Sequence, residues 1–471
     1  KFVSMLEDEF KITNIKAVFE CEWKNFKKTD EWKDFVVSTN FNSCRPLNRL
    51  IPRVAMRSGF SDLYRLNWKQ SDHPNDIFKV ADVNMLYSHI ALTEHFGVGK
   101  PTILIGKSLK EISIKNDTIH YKGNDVLSGA VYCSILAPQN ELYPFLPFRV
   151  SNKFNYLSSC KSCCDKLRTK CKHKVLSSKM FTSTWTVPEI NKALKEGYQL
   201  IEIYEIVIFT ERKPILKSFV QSLLVERISN SGGINDDMSF DEKNNYCKKH
   251  NDRMNLPPEL YLVPEKITDN PSQKEFYKDC LNSLYGKFSA NLIKTKTEIV
   301  RIQHRLEEIA HFNEIVEIFP INDSNLLVEY ELKDLKPNFK GNIFIGSEIT
   351  AHARIYMHNY LKQLQNIPGA KIFQIETDSI MYSIPKNVID PLPYSDLIGD
   401  FKHVVPENCD IQSFFALGNK NYSILYKDEN EKVKTILKVK GLSLKSSHIN
   451  HPISNEICLL YTSDAADEED S

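Results

Sequence analysis

The chain has 471 residues, with 61 Lys and Arg against 60 Asp and Glu, a formal net charge of +1 and 42% hydrophobic residues. That length can bury several cores, so roughly two to four subdomains are expected, and the charge balance excludes a strongly basic nucleic-acid coat. Eleven cysteines over this length do not make a small secreted disulfide scaffold. There is no signal peptide and no apolar run of 18 residues, so nothing suggests membrane insertion and a reducing, intracellular location is expected (cytosol, nucleus, virus factory or organelle).

In chain order, the first chemical signal is IFKVADVNMLYSHIAL, Ile77 to Leu92. A β-prone run leads into Asp82, and LYSHIAL then starts a helix. An acid at the end of a buried strand is costly unless it is paired or binds a metal; a turn residue or helix cap is the plainer alternative. VYCSILAP (Val131 to Pro138) and ELYPFLPFRV (Glu141 to Val150) read as strand-like pieces. Next comes a basic, cysteine-rich run, Cys160 to Lys174. Within it Cys160, Cys163, Cys171 and His173 form C-x2-C-x7-C-x-H, with Cys164 spare. Softness and ligand count suit tetrahedral Zn²⁺ in a structural role. The spacing is tighter than in usual zinc fingers and the one-residue Cys–His gap is awkward, so a reduced basic loop is the other reading.

PILKSFVQSLLVERISNSGG, Pro214 to Gly233, reads as a long helix ended by two glycines. KDCLNSLYGKF, Lys278 to Phe288, is helix-sized and places Lys278, Asn282 and Tyr285 at i, i+4 and i+7, within about 60° on one face. Gly286 removes a side chain from the next step, so a backbone or base pair can approach. An ammonium there can meet phosphate and a ring can meet sugar or base; an amphipathic helix with a solvated lysine is the alternative. Residues 301–345 are charged and strand-like. KIFQIETDSIMYSI, Lys371 to Ile384, reads as strand–turn–strand with Glu376 and Asp378 at its tip. The run Lys432 to Lys445 holds lysines and no acid, which suits phosphate neutralisation or a solvated face. No internal repeat is evident.

In this order the segments resemble a family. DVNMLYSH looks like motif A of type B DNA polymerases (DxxSLYP), KDCLNSLYG like motif B (KxxxNSxYG) and ETDS like motif C (DTDS). The order is similar to the protein-primed organellar and viral branch, which includes Polinton-like elements and linear plasmids. Further likenesses are FECEW (Phe19 to Trp23), IPRVAMRSGFS (Ile51 to Ser61) for PRxAxxGGRT, Thr182 to Ile206, ITAHARIYMHNYL (Ile349 to Leu361), GNKNY (Gly418 to Tyr422) and KVKG (Lys438 to Gly441).

The resemblance implies an α+β right-hand polymerase with an antiparallel-sheet palm, helical fingers, insertion subdomains and a truncated thumb. It implies a linker remnant at 1–50, palm at 51–150, an insertion at 151–257, fingers at 258–300, a second insertion at 301–345 and returning palm at 346–457. It assigns catalysis and two Mg²⁺ ions (Mn²⁺ substituting) to Asp82 and Asp378, with the Val83 carbonyl as a further ligand. Tyr87, Lys278, Asn282, Tyr285 and Gly286 would meet the nucleotide, Tyr87 barring a ribose 2′-hydroxyl. Arg53, Ser58, Gly59, Thr377, Lys438 and Lys440 would meet DNA. The implied partners are primer–template DNA, deoxynucleoside triphosphates and a terminal priming protein.

The chain departs from the family's pattern at Met85, Ser88, Phe60 and Glu376. Phe60 stands where a phosphate-binding arginine is usual, which leaves open a weakened or catalytically dead DNA-binding relic. A reverse transcriptase fits less well, because its hairpin carries adjacent aspartates. No DxE exonuclease block precedes Asp82, so proofreading is not expected from this chain, which reads as truncated at both ends. Residues 458–471 resemble a translated sequencing adaptor and are expected to be a non-native or disordered tail.

Overall fold

The strand Asp76–Val83 alternates its apolar side chains between two cores. Phe78 and Val80 enter one cluster with Trp68, Phe373 and Phe414, while Ala81 and Val83 enter the other with Ile375, Ile380 and Ile349. This period of two is what a strand buried on both faces requires. In the computed structural model, residues 29, 50–139, 141–150, 154–165, 171–290, 295–301, 303–322, 324–332 and 341–440 are described. The segment Phe19 to Trp23, Gly441, the 458–471 tail and nearly all of 1–50 lie outside them.

Asp76–Val83 sits in a five-stranded antiparallel sheet. The order is Ser61–Leu63, Lys371–Glu376, Ser379–Pro385, Asp76–Val83 and Phe401–His403. One face carries the helix Ile343–Gln365, whose Ile349, Ala353, Met357, Leu361 and Leu364 form a buried stripe. The helices Leu86–Thr93 and Pro271–Ser289 pack against it. The other face carries a second antiparallel sheet, Asn67–Lys69, Asp410–Gly418, Asn421–Lys427 and Val433–Lys438.

A third sheet orders Phe181–Thr186, Ser128–Leu136, Gln199–Phe209 and Thr102–Ile105, so strands from both sides of residue 150 share it. Residues 295–332 form a separate three-stranded sheet with its own core of Val300, Ile309, Val328 and Tyr330. The charged stretch read as strand-like is thus a hairpin, Asn313–Asn322 and Asn325–Leu332, preceded by a helix, Gln303–Phe312. The long helix expected from Pro214 runs Lys217–Ser229 and ends before the two glycines. Among the described residues, no helix is long and apolar enough to cross a membrane.

A buried ionic network joins these layers. Thr186 caps the helix Val187–Lys195 in a reciprocal box, its backbone N–H donating to Glu189 Oε2 at 3.0 Å. Glu189 Oε1 accepts from Arg354 Nε at 3.1 Å, and Arg354 Nη1 donates to the carbonyls of Arg57 (2.8 Å) and Ser58 (2.7 Å). Arg57 Nη1 in turn donates to the Thr184 carbonyl at 2.8 Å. Burial alone would push the Glu189 carboxyl up, but Arg354 and Arg57 hold it below its ordinary value. Removing one partner would strand a buried charge. Glu189→Ala should therefore cost about 3–5 kcal/mol in chemical denaturation; a loss below about 1 kcal/mol, the scale of an exposed pair, would show that the network contributes little.

Candidate active site

Asp82 and Asp378 are far apart in sequence and meet through strand pairing. Ser379 is the register partner of Asp82, and the Val83 N–H donates to the Asp378 carbonyl at 2.8 Å. The hairpin tip turns at Thr377, whose φ of 53° is left-handed, and the Thr377 N–H donates to the Phe60 carbonyl. Beyond Asp82 the chain turns at Met85, also left-handed at φ 55°, and enters the helix Leu86–Thr93. Asn84 fixes that turn by donating from Nδ2 to the Ser395 carbonyl at 2.8 Å.

Both oxygens of Asp82 have partners. Ser379 Oγ donates to Oδ2 at 2.7 Å, and Lys402 Nζ lies 2.9 Å from Oδ1. Burial, then the Asp82 charge, pushes the Asp378 carboxyl up to about 6, with Lys402 opposing. Two carboxylates held together in a partly buried place form a hard-oxygen donor set that suits a divalent cation. Val83 ends the same strand and lines the same cleft. Glu376 closes the other hairpin strand, with Lys420 Nζ 3.9 Å away.

The facing wall is the helix Pro271–Ser289. Asn270 caps its start, its side chain accepting from the Gln273 N–H, and Pro271 occupies the first turn. Lys274, Lys278 and Asn282 line a cleft of about 430 Å³ together with Asp82, Val83, Asp378 and Lys402. Lys278 Nζ rests on Glu275 at 2.8 Å and its side chain is 42% exposed, so the ammonium can be redirected at little cost. Tyr285 stacks on Tyr87 with centroids 4.5 Å apart. Gly286 faces open space; a Cβ there would meet nothing within 4 Å.

The Gly59 loop closes the floor. A Cβ on Gly59 would lie 3.0 Å from Thr377 Cγ2 and 3.2 Å from Tyr87 Oη. A side chain here would have to push these neighbours back by a few tenths of an ångström. Phe60 is in the core, edge-on to Phe145 at 6.1 Å, so it presents no polar group to the cleft. Ser58 is exposed. Arg53 donates to the carbonyls of Ser289 (2.9 Å) and Ala290 (3.1 Å), at the C-terminal end of the Lys278 helix. Lys438 lies over the Tyr422 ring at 5.9 Å, and the Lys440 N–H donates to Asn421 Oδ1 at 2.8 Å; both lysines are exposed.

Sequence reasoning missed Lys402, Ser379, Lys274 and Arg227 at this cleft. Lys274 was readable, being four residues before Lys278 on the same face. Lys402 and Arg227 reach the cleft only through the pairing of Phe401–His403 and the packing of Lys217–Ser229, for which no local signal exists. The cysteine cluster lies elsewhere, beside Leu136, Ala137 and Gly197.

Residues 66–243 and 238–367 match the family described as DNA polymerase type B, organellar and viral. A "Probable DNA polymerase" of Podospora anserina is 28% identical over 215 residues, a match spanning 39% of this chain and 17% of that protein's length. Among solved structures, Phi29 DNA polymerase in an orthorhombic crystal form superposes with a TM-score of 0.51 at 15% identity, covering 94% of this chain and 71% of that one. Phi29 DNA polymerase complexed with primer-template DNA and incoming nucleotide substrates gives 0.50 at 15% identity, covering 95% and 73%. At this identity the structures show a shared fold.

The raised Asp378 carboxyl carries a stability consequence. Its protonated form is favoured by folding, so that contribution is complete below about pH 4 and is lost as pH rises through about 6. In EDTA at pH 8, Asp378→Asn should therefore melt higher than the wild type, by an equivalent of about 1–3 kcal/mol. The difference should vanish near pH 4. An Asn variant that melts no higher at pH 8 than at pH 4, relative to wild type, contradicts the assigned environment.

Proposed function

The chain belongs to the type B DNA polymerases of the organellar and viral kind, and on that premise we propose that it adds deoxynucleotides to a primer end under template direction. The observation that carries this reading is the register Ser379 to Asp82, which brings the two acids together opposite Lys274 and Lys278. The five-stranded sheet would be the palm and the Lys278 helix part of the fingers, in a right-hand arrangement. The partners would be primer–template DNA and deoxynucleoside triphosphates, by analogy with the similar Phi29 polymerase, which is complexed with primer-template DNA and incoming nucleotide substrates.

Asp82, Asp378 and the Val83 carbonyl would hold two magnesium ions, which when bound supply positive charge to the attacking and leaving oxygens. The residues around them divide the remaining work. Lys274 and Lys278 hold the triphosphate and offset charge that grows on it. Ser379 and Lys402 keep Asp82 in one orientation. Tyr87, fixed between Gly59 and Tyr285, presents a rigid edge to the sugar. Asn282 and Gly286 face the nascent base pair, where the open space at Gly286 leaves room for it. Arg53, Ser58, Gly59, Thr377, Lys438 and Lys440 form the DNA track, with Arg53 acting through the end of the Lys278 helix.

Priming on a protein hydroxyl is supported by the motif order alone, and a viral or mobile linear DNA as the replicated element by the organellar and viral description of the family. One observation favours a weaker template grip: Phe60 is packed in the core, at the place of the arginine in the PRxAxxGGRT pattern that this segment resembles.

Primer extension with magnesium tests the reading. Asp82→Asn and Asp378→Asn should each lower the rate about a thousand-fold, equivalent to about 4 kcal/mol of lost charge stabilisation; extension indifferent to both would remove the mechanism. Tyr87→Val should lower the preference for deoxy- over ribonucleotides by about tenfold or more. An unchanged sugar preference would sink the role given to that ring.

A further inference from the structure

We propose that Cys160, Cys163, Cys171 and His173 bind one zinc ion through three Sγ atoms and His173 Nδ1. The four ligand atoms all lie within 4.8 Å of one another. Nδ1 is 3.5 Å from Cys160 Sγ, 3.4 Å from Cys163 Sγ and 3.8 Å from Cys171 Sγ. With zinc–sulfur bonds of about 2.3 Å and zinc–nitrogen bonds of about 2.05 Å, a tetrahedron puts sulfur and nitrogen about 3.6 Å apart. The observed spacings bracket that value, so the donor set is already shaped for one ion. Three thiolates and an imidazole favour zinc over the hard cations of the catalytic cleft.

Local structure explains how so tight a spacing works. The helix Lys161–Asp165 begins directly after Cys160, so Cys163 returns to the same side one turn later. Residues 171–173 have no helical structure, and Cys171 Sγ lies 3.8 Å from His173 Nδ1. Cys171 and His173 thus converge across a single intervening lysine. The neighbouring thiol behaves differently: Cys164 is buried in the main core and is not in the cluster. Cys160 and Cys163 are also buried, yet their sulfurs turn toward the imidazole.

The site lies against Leu136, Ala137, Gly197 and Gln199, at the end of the third sheet, and none of its residues lines the catalytic cleft. The ion would tie residues 171–173 back to the Lys161–Asp165 helix. Its binding free energy would then be part of the folding free energy of this region.

Metal analysis of the purified full chain, without an added metal-binding tag, tests the proposal. The wild type should carry about one zinc per chain. Replacement by cobalt(II) should give thiolate-to-metal charge transfer and the strong visible bands of a tetrahedral site. Cys163→Ser and Cys171→Ser should lose the ion, whereas Cys164→Ala should keep it. A wild type that is free of metal when purified in zinc, and takes up cobalt without tetrahedral bands, would overturn the proposal whatever the variants do. So would zinc retained by both serine variants, or iron with visible absorption in place of zinc. Primer extension plays no part in these readouts, so a failure here is separate from a failure of the polymerase reading.

Discussion

The site depends on one strand register. Ser379 must oppose Asp82, and the Val83 N–H must reach the Asp378 carbonyl. A slip of one residue would turn Asp82 away and exchange the two faces of Asp76–Val83. The two cores prevent this. Phe78 and Val80 fit the aromatic cluster of the second sheet, and Ala81 and Val83 fit the larger helical core. Apolar packing on both faces thereby sets where two costly carboxylates end up. That cost is visible in the raised Asp378 carboxyl and in the Lys402 and Ser379 contacts to Asp82.

Other contacts transmit the same register outward. The Gly59 loop lies against Thr377 and Tyr87, and its carbonyls at Arg57 and Ser58 are held by Arg354. Arg354 is itself anchored by Glu189, which closes the capping box with Thr186 at the start of the Val187–Lys195 helix. Four segments scattered between residues 51 and 361 thus meet beneath the hairpin tip. Buried polar networks of this kind favour one arrangement over alternatives, although Arg57 Nε is left without a partner among the described residues.

Much of this was legible in the sequence, because the signals were local. A β-prone run leads into Asp82, the Lys278 helix repeats at helical spacing, and ETDS sits between two β-prone runs. What stayed hidden depends on tertiary pairing. Lys402 looks like any exposed strand lysine until Phe401–His403 lies beside Asp82. Arg57, Glu189 and Arg354 each resemble surface residues, and only their shared burial makes them a network. The helix Gln303–Phe312 was lost within a charged stretch, although its Leu306 and Ile309 mark an apolar face. The one-residue gap between Cys171 and His173 is short for a ligand pair, and only the folded chain shows the two side chains converging.

The most direct test of the central claim is anomalous diffraction from crystals of the full chain soaked in manganese. The account predicts an anomalous peak bonded at about 2.1 Å to one oxygen from each of Asp82 and Asp378. A peak that touches only one of the two acids, or none at saturating metal, would contradict it.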